Sequence, residues 1–226
     1  MTEKIQLLSH GSIRLVESMG NDLSVVRAAR TSYAAEWRSG EDAGKDEKLI
    51  NYLVQHYHTS SLEAVTVTFD VVLPIFVARQ WMRHRTQSYS EVSGRYAELP
   101  EVYYLPELHD ITQQSIANKQ QRTDEVLPTA EAIQQEIADA CASSFASYRK
   151  LLDLGCPREL ARGVLPLNTF THFFCTMNLL NLAKFIKLRS HPHAQKEIRV
   201  YSDAMLVLAK TVAPVTMEAV EKHWLK

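Results

Sequence analysis

From residue 65 to 73 apolar and polar side chains alternate: Val65, Val67, Phe69, Val71 and Leu73 are interleaved with Thr66, Thr68 and Asp70. A period of two puts the apolar set on one side of an extended chain, so the stretch predicts a strand with one buried face. Pro74 follows directly. Proline has no N–H to lose at the first position of a helix, so the chain is expected to pass there from strand to helix. The predicted helix carries Gln80 and, at its far end, Arg83, His84 and Arg85; the following residues to Tyr96 have no apolar pattern and read as a loop. A strand, a helix and a polar loop joined without a linker make a rigid junction, and charge is concentrated on it.

Guanidinium groups are planar forks of donors, so Arg83, Arg85 and Arg95 can each grip a pair of phosphate oxygens, with hydroxyls from Ser88 and Ser93 beside them. That composition suits an anion site. The alternative for Arg83 to Arg85 is a helix terminus, where cations offset the dipole for about 0.3–1 kcal/mol. The seven glycines are scattered and spell no G-x-G-x-x-G or Walker sequence, so side chains must hold any nucleotide phosphates. A formal net charge of -1 argues against a general polynucleotide binder and makes any phosphate binding local.

The remaining pattern predicts a helix-rich chain. Residues 5–17 alternate loosely around a turn at Gly11, and 21–30 read as a short helix with Ser24 as a possible N-cap. Leu49, Ile50, Leu53, Val54 and Tyr57 give 45–58 a helical period. Residues 100–129 are polar and broken by prolines, a peripheral excursion. A long helix is expected over 128–154, as the backbone of the core or of a subunit interface, ended by Gly155 and Pro157. A short helix follows through Arg162. Residues 169–189 read as one helix bearing Asn178 and Arg189 on one side, roughly 16 Å apart. A last helix begins at Ser190, with Ile198, Tyr201, Met205, Leu208 and Val212 inward. With 226 residues, 46% of them apolar, 1–226 is expected to form a single α+β domain with an antiparallel or mixed sheet.

Cys141, Cys156 and Cys175 are odd in number and far apart, which suits a reducing compartment. The N-terminus has no signal-peptide pattern and no run approaches 18 apolar residues, so a soluble cytoplasmic protein is expected. His56 and His58 lack a third ligand, and no metal site is expected.

Arg83-His84-Arg85, seven further residues and Ser93, flanked by Phe76-Val77-Ala78-Arg79-Gln80-Trp81 and by Ser93-Gly94-Arg95-Tyr96, resemble the signature of the flavin-dependent thymidylate synthases. Leu188-Arg189-Ser190 and the run from His193 to Arg199 resemble a second hallmark of that family, and Ala161-Arg162-Gly163-Val164-Leu165-Pro166 a third segment. The resemblance implies a fold like that of thymidylate synthase-complementing proteins. It also implies reductive methylation of dUMP to dTMP, with 5,10-methylenetetrahydrofolate as one-carbon donor and NADPH-reduced FAD as hydride source, and without a cysteine nucleophile. It assigns catalysis to Arg189, dUMP binding to Gln80, Arg83, Glu91, Ser93, Gly94, Arg95, Arg162 and Arg189, and FAD binding to His58, Ser60, Arg83, His84, Arg85, Glu91 and Asn178. A homotetramer with sites shared between subunits is implied as well. Two departures stand out: Asn178-Leu179-Leu180 where the family often has Asn-Ala-Arg, and Lys184 where an Asn is common. Each assignment has a plainer alternative: a helix cap for His58, a helix-surface amide for Asn178, a solvated side chain for Arg162 and a helix C-terminus for Arg189. Two other functions stay open, a polynucleotide-binding module using Arg83 to Arg95 and a flavoprotein acting on another pyrimidine.

Overall fold

The computed structural model describes residues 3–225. The chain runs β1 (Ile5–Leu7), β2 (Gly11–Met19), α1 (Asp22–Thr31), α2 (Ala43–Gln55), β3 (Thr66–Pro74), α3 (Ile75–Trp81), β4 (Ser88–Glu91), β5 (Thr112–Gln114), β6 (Arg122–Val126), α4 (Ala130–Asp153), α5 (Arg158–Ala161), β7 (Phe170–Asn178), α6 (Leu179–Arg189), α7 (Lys196–Lys210) and α8 (Pro214–Trp224). The alternating stretch is the centre of the sheet. β3 is third in a five-stranded antiparallel sheet of order β1-β2-β3-β7-β4, and Val67, Phe69, Val71 and Leu73 have no solvent exposure. Against that face lie α6 with Leu179, Leu182, Phe185 and Ile186, and α7 with Ile198, Tyr201 and Met205, in one apolar cluster. The opposite face carries Asp70 between Arg14 and His172, with Phe174 partly exposed. This is the expected α+β fold, with the sheet antiparallel throughout. Among the described residues no helix is long and apolar enough to cross a membrane.

Several local expectations are corrected. The stretch 169–189 is not one helix: β7 occupies Phe170–Asn178 and α6 starts at Leu179. Thr171, Phe173, Cys175 and Met177 point inward with a period of two, and β-favouring Phe and Thr pack there as sheet. Asn178 is therefore the N-cap of α6, its Oδ1 accepting from Asn181 N at 2.9 Å, rather than a helix-surface amide. Asn21, not Ser24, caps α1; Ser24 is the reciprocal partner three residues on. The first hairpin turns at Leu8 and Ser9, both left-handed (φ 45 and 57), while Gly11 opens β2. A Cβ at Gly11 would lie 2.1 Å from the Tyr201 hydroxyl, which donates to Val72 O at 2.8 Å. Only glycine lets β2 approach α7 that closely.

The final helix is α8, beyond α7, with Pro214 in its first turn and Met217, Val220 and Trp224 buried. α4 is not the backbone of the main core. Its buried residues include Phe145 and Tyr148, which form a separate cluster with Ala161 of α5. The excursion at 100–129 contains the β5–β6 hairpin and is tied down by Arg122 to Glu197 at 3.0 Å and by an ion pair between Lys196 and Asp110.

Candidate active site

α3 ends at Trp81 with Met82 as its C-cap, so Arg83, His84 and Arg85 lie on the turn beyond the helix and not in its last turn. His84 N closes this turn on Trp81 O at 3.0 Å. The His84 ring packs on Phe185 of α6, with centroids 4.7 Å apart. That contact brings the turn to the C-terminal end of α6, where Arg189 stands. Arg189 Nε donates to His84 Nε2 at 3.0 Å and Arg189 Nη2 donates to Gln80 O at 3.0 Å. Two bonds to one planar group fix its orientation, and among the described residues Nη1 makes no hydrogen bond.

Electrostatics agree with this geometry. Burial, then the neighbouring Arg189 cation, push His84 down from 6.5 to about 4. The ring is thus neutral near pH 7, with a lone pair on Nε2 to accept from Arg189 and its proton on Nδ1. Burial also lowers Arg189 from its ordinary value, although such a group stays cationic in neutral water. Gln195, before α7, completes the cluster by accepting from Gln80 Nε2. Arg83 and Arg85 are exposed, and neither side chain has a hydrogen bond or ion pair among the described residues.

A second group lies past the other end of β4. Glu91, Gly94 and Arg162 line one cleft of about 190 Å³ with Thr171, whose hydroxyl donates to Glu91 Oε1 at 2.5 Å. Gly94 is buried, and a Cβ there would stand 3.2 Å from Arg162 Cδ. The missing side chain lets the arginine stem lie across the turn. Ser93 Oγ accepts from Arg95 N at 3.3 Å. Arg95 itself points to Glu159 at 3.7 Å, both more than half exposed, a contact worth little in water and easily exchanged for a ligand phosphate.

The third group is at the start of α6. The turn Ser60–Ala64, which begins at the exposed Ser60, packs on α6 and α1, and Val65 just after it accepts from Leu179 N at 2.8 Å, next to the Asn178 cap. His58 is exposed and lies in an aromatic group with Tyr52 and His56, past the α2 cap. Leu179 and Leu180, where the resemblance departs, are buried in the core and offer no side chain to a surface ligand; Lys184 is exposed. Thr171 and Gln195 are site partners that sequence reasoning missed. Gln195 lies inside the second hallmark, but nothing in the sequence pairs it with Gln80. Among the described residues no three His, Cys, Asp or Glu side chains converge as metal ligands.

For a flavin dinucleotide the donor set fits. Exposed guanidinium groups free of internal partners stand beside a half-buried, oriented one, in a chain without a glycine cradle. The Asn178 oxygen is used by the cap, and its amide N–H groups make no hydrogen bond among the described residues.

The sequence profile of a family described as thymidylate synthase complementing protein matches residues 14–215. A flavin-dependent thymidylate synthase from Treponema denticola is 43% identical over 227 residues, covering 99% of this chain and 84% of the relative. One from Thermotoga neapolitana is 42% identical over 220 residues, covering 97% and 95%. Among solved structures, a UMP/dUMP methylase PolB from Streptomyces cacaoi bound with 5-Br dUMP is similar at TM-score 0.89 and 34% identity, over 98% of this chain and 99% of that one. The same protein bound with 5-Br UMP gives a TM-score of 0.86 over 98% of each chain.

Proposed function

The chain belongs to the flavin-dependent thymidylate synthases, and from that membership we propose that it makes dTMP from dUMP, with 5,10-methylenetetrahydrofolate as carbon donor, NADPH as reductant and FAD as resident flavin. The observation that carries the site assignment is the Arg189 guanidinium, oriented by His84 and Gln80 with Nη1 left for a ligand. A fixed cation in a water-poor site stabilises negative charge that develops on a bound pyrimidine ring, because no reorientation is needed at the moment of reaction. FAD, when bound, supplies the hydride chemistry. Arg83 and Arg85 would hold its phosphates, with His84, Glu91, Ser60, His58 and Asn178 around it. Gln80, Ser93, Gly94, Arg95 and Arg162 would hold dUMP, with Glu91 kept in place by Thr171.

No cysteine is suited to attack the pyrimidine. Cys175 has no exposure and burial pushes its thiol up to about 12; Cys141 is buried and raised for the same reason. A thiol in that state is not the thiolate that acts as a nucleophile. Cys156 lies outside all three groups, with Sγ against Pro157 O.

The cleft at Glu91 and Arg162 is below the roughly 300 Å³ of an ordinary small-molecule site. The two arginine groups stand at opposite ends of β4. Both facts favour sites completed by a second copy of the chain, in a homotetramer. α7 is spent in the core, which leaves the long exposed flank of α4 for such contacts. The free cysteines and the family's substrates fit a cytoplasmic enzyme.

The first test is the visible spectrum of the purified protein: yellow, bleached by NADPH, with dTMP formed from dUMP and the folate. A colourless protein that also fails to take up FAD overturns the proposal. Because the solved relatives are described as UMP/dUMP methylases, UMP belongs beside dUMP in the assay; turnover of UMP at a comparable rate would widen the substrate class.

A further inference from the structure

We propose that Gln87 and Tyr89 are positioning residues, which hold Arg189 in its working orientation by bracing the turn that carries His84. The proposal rests on Arg189 being the catalytic cation.

Residues 82–87 must reverse the chain from α3 into β4, and the underside of that turn is polar although it is sealed from water. Trp81 has no exposure, and its Nε1 donates to Gln87 Oε1 at 2.9 Å. An indole nitrogen can only donate, so the amide atom facing it must be the carbonyl oxygen, and the orientation of Gln87 follows. Two further donors reach that oxygen: the Tyr89 hydroxyl at 2.9 Å and Cys175 Sγ at 3.2 Å. An amide oxygen has two lone pairs, so one donor must look elsewhere. Tyr89 is the one with alternatives, since its hydroxyl also lies 3.2 Å from His84 O and 3.4 Å from Trp81 O. Its single hydrogen can therefore go to the backbone carbonyl of His84, while Gln87 holds Trp81 at the end of α3.

The consequence for Arg189 is direct. His84 O is braced from below, the His84 ring rests on Phe185, and His84 Nε2 takes the bond from Arg189 Nε. The second acceptor, Gln80 O, is on the last turn of α3, which leads into that turn. Both atoms that aim the guanidinium thus belong to one short segment, and Gln87 with Tyr89 is what ties that segment down. Neither residue touches Arg189. Packing alone does not account for a glutamine here. Gln87 is 9% exposed and its Nε2 has no acceptor among the described residues, so burying this amide has a cost, and what it returns is an acceptor for the buried Trp81 indole at the end of α3.

The experiment uses the flavin-loaded enzyme. Tyr89→Phe keeps the ring on Phe173 and removes only the hydroxyl; Gln87→Met keeps the length and removes the amide. Each is compared with wild type for kcat, KM for dUMP, bound FAD and thermal unfolding, and Tyr89→Phe is repeated in an Arg189→Lys background. Expected is a loss of kcat per bound flavin of roughly ten- to a hundredfold with KM for dUMP unchanged, as for a misaimed catalytic group. In the Arg189→Lys background Tyr89→Phe should cost nothing further, because both changes act through one group. An equal loss in both backgrounds, or a lower unfolding temperature with kcat intact, overturns the positioning role. If Arg189→Lys alone leaves kcat unchanged, the premise fails instead, and the two failures are told apart.

Discussion

Taken from pH 7 to pH 5 without ligands, the protein is expected to keep His84 neutral. The ordinary value is 6.5, and burial together with Arg189 holds His84 down to about 4. At pH 5 a histidine of 6.5 is about 97% protonated and one of 4 about 9%. The sign for stability follows from the same pair of values. Between pH 6.5 and 4 the unfolded chain binds a proton that the folded chain refuses. This contribution is therefore fully present above pH 6.5 and lost as pH falls through the window. A shift of 2.5 units (6.5 less 4) sets an upper bound of about 3 kcal/mol, and solvent reaching a half-buried ring reduces that to roughly 1–2 kcal/mol. Proton NMR of the imidazole rings reads the titration directly, with His84→Asn to assign the signal. Urea midpoints at pH 7, 5.5 and 4.5 read the stability, and the wild type should lose more than the variant. A His84 midpoint near 6.5, or identical pH slopes for both proteins, would show that Nε2 is not the acceptor that fixes Arg189.

Arg189→Ala should keep flavin bound and lower kcat by roughly 10²–10³, the usual loss of a transition-state donor, measured by bound absorbance and turnover on one sample. Arg83→Ala and Arg85→Ala should leave unfolding within about 0.5 kcal/mol of wild type, since both side chains are exposed and unpaired, yet lose FAD on desalting. Arg122→Ala should cost about 3 kcal/mol in thermal unfolding, because it leaves Glu197, 2% exposed, with Tyr104 as its remaining partner among the described residues.

What the sequence revealed depended on how strongly each element repeats. β3 and α2 have long apolar periods, and their positions follow from the residues alone; α7 keeps the expected inward set but begins at Lys196 and not at Ser190, because the chain first turns between His191 and Ala194. β7 was misread because Phe170, Phe173, Phe174 and Met177 also satisfy helical spacing, while the inward Thr171 and Cys175 are small and weakly apolar. β4 gave no signal: Ser88, Tyr89, Ser90 and Glu91 make an edge strand that needs only one neighbour. The start of α8 is marked in the sequence by Pro214. In the site, the arginines and Glu91 came from a long motif, but Thr171 under Glu91 and Gln195 against Gln80 depend on which elements meet in space.

The strand with the weakest sequence signal couples the two arginine groups. In its register with β7, Tyr89 pairs with Cys175 and Glu91 with Phe173, so both point to the face covered by helices, while Ser88 and Ser90 point away. Tyr89 reaches under the turn that aims Arg189; two residues on, Glu91 reaches diagonally to Thr171 and lines the cleft with Arg162. β7 itself continues into α6 through the Asn178 cap and ends at Arg189, so one continuous segment fixes both ends of the site. A slip of one residue between β4 and β7 would exchange the serines for Tyr89 and Glu91, and would disarm both groups at once. The Glu91–Thr171 bond and the Tyr89 hydroxyl bonds each oppose that slip, so the contacts that shape the site also hold its register.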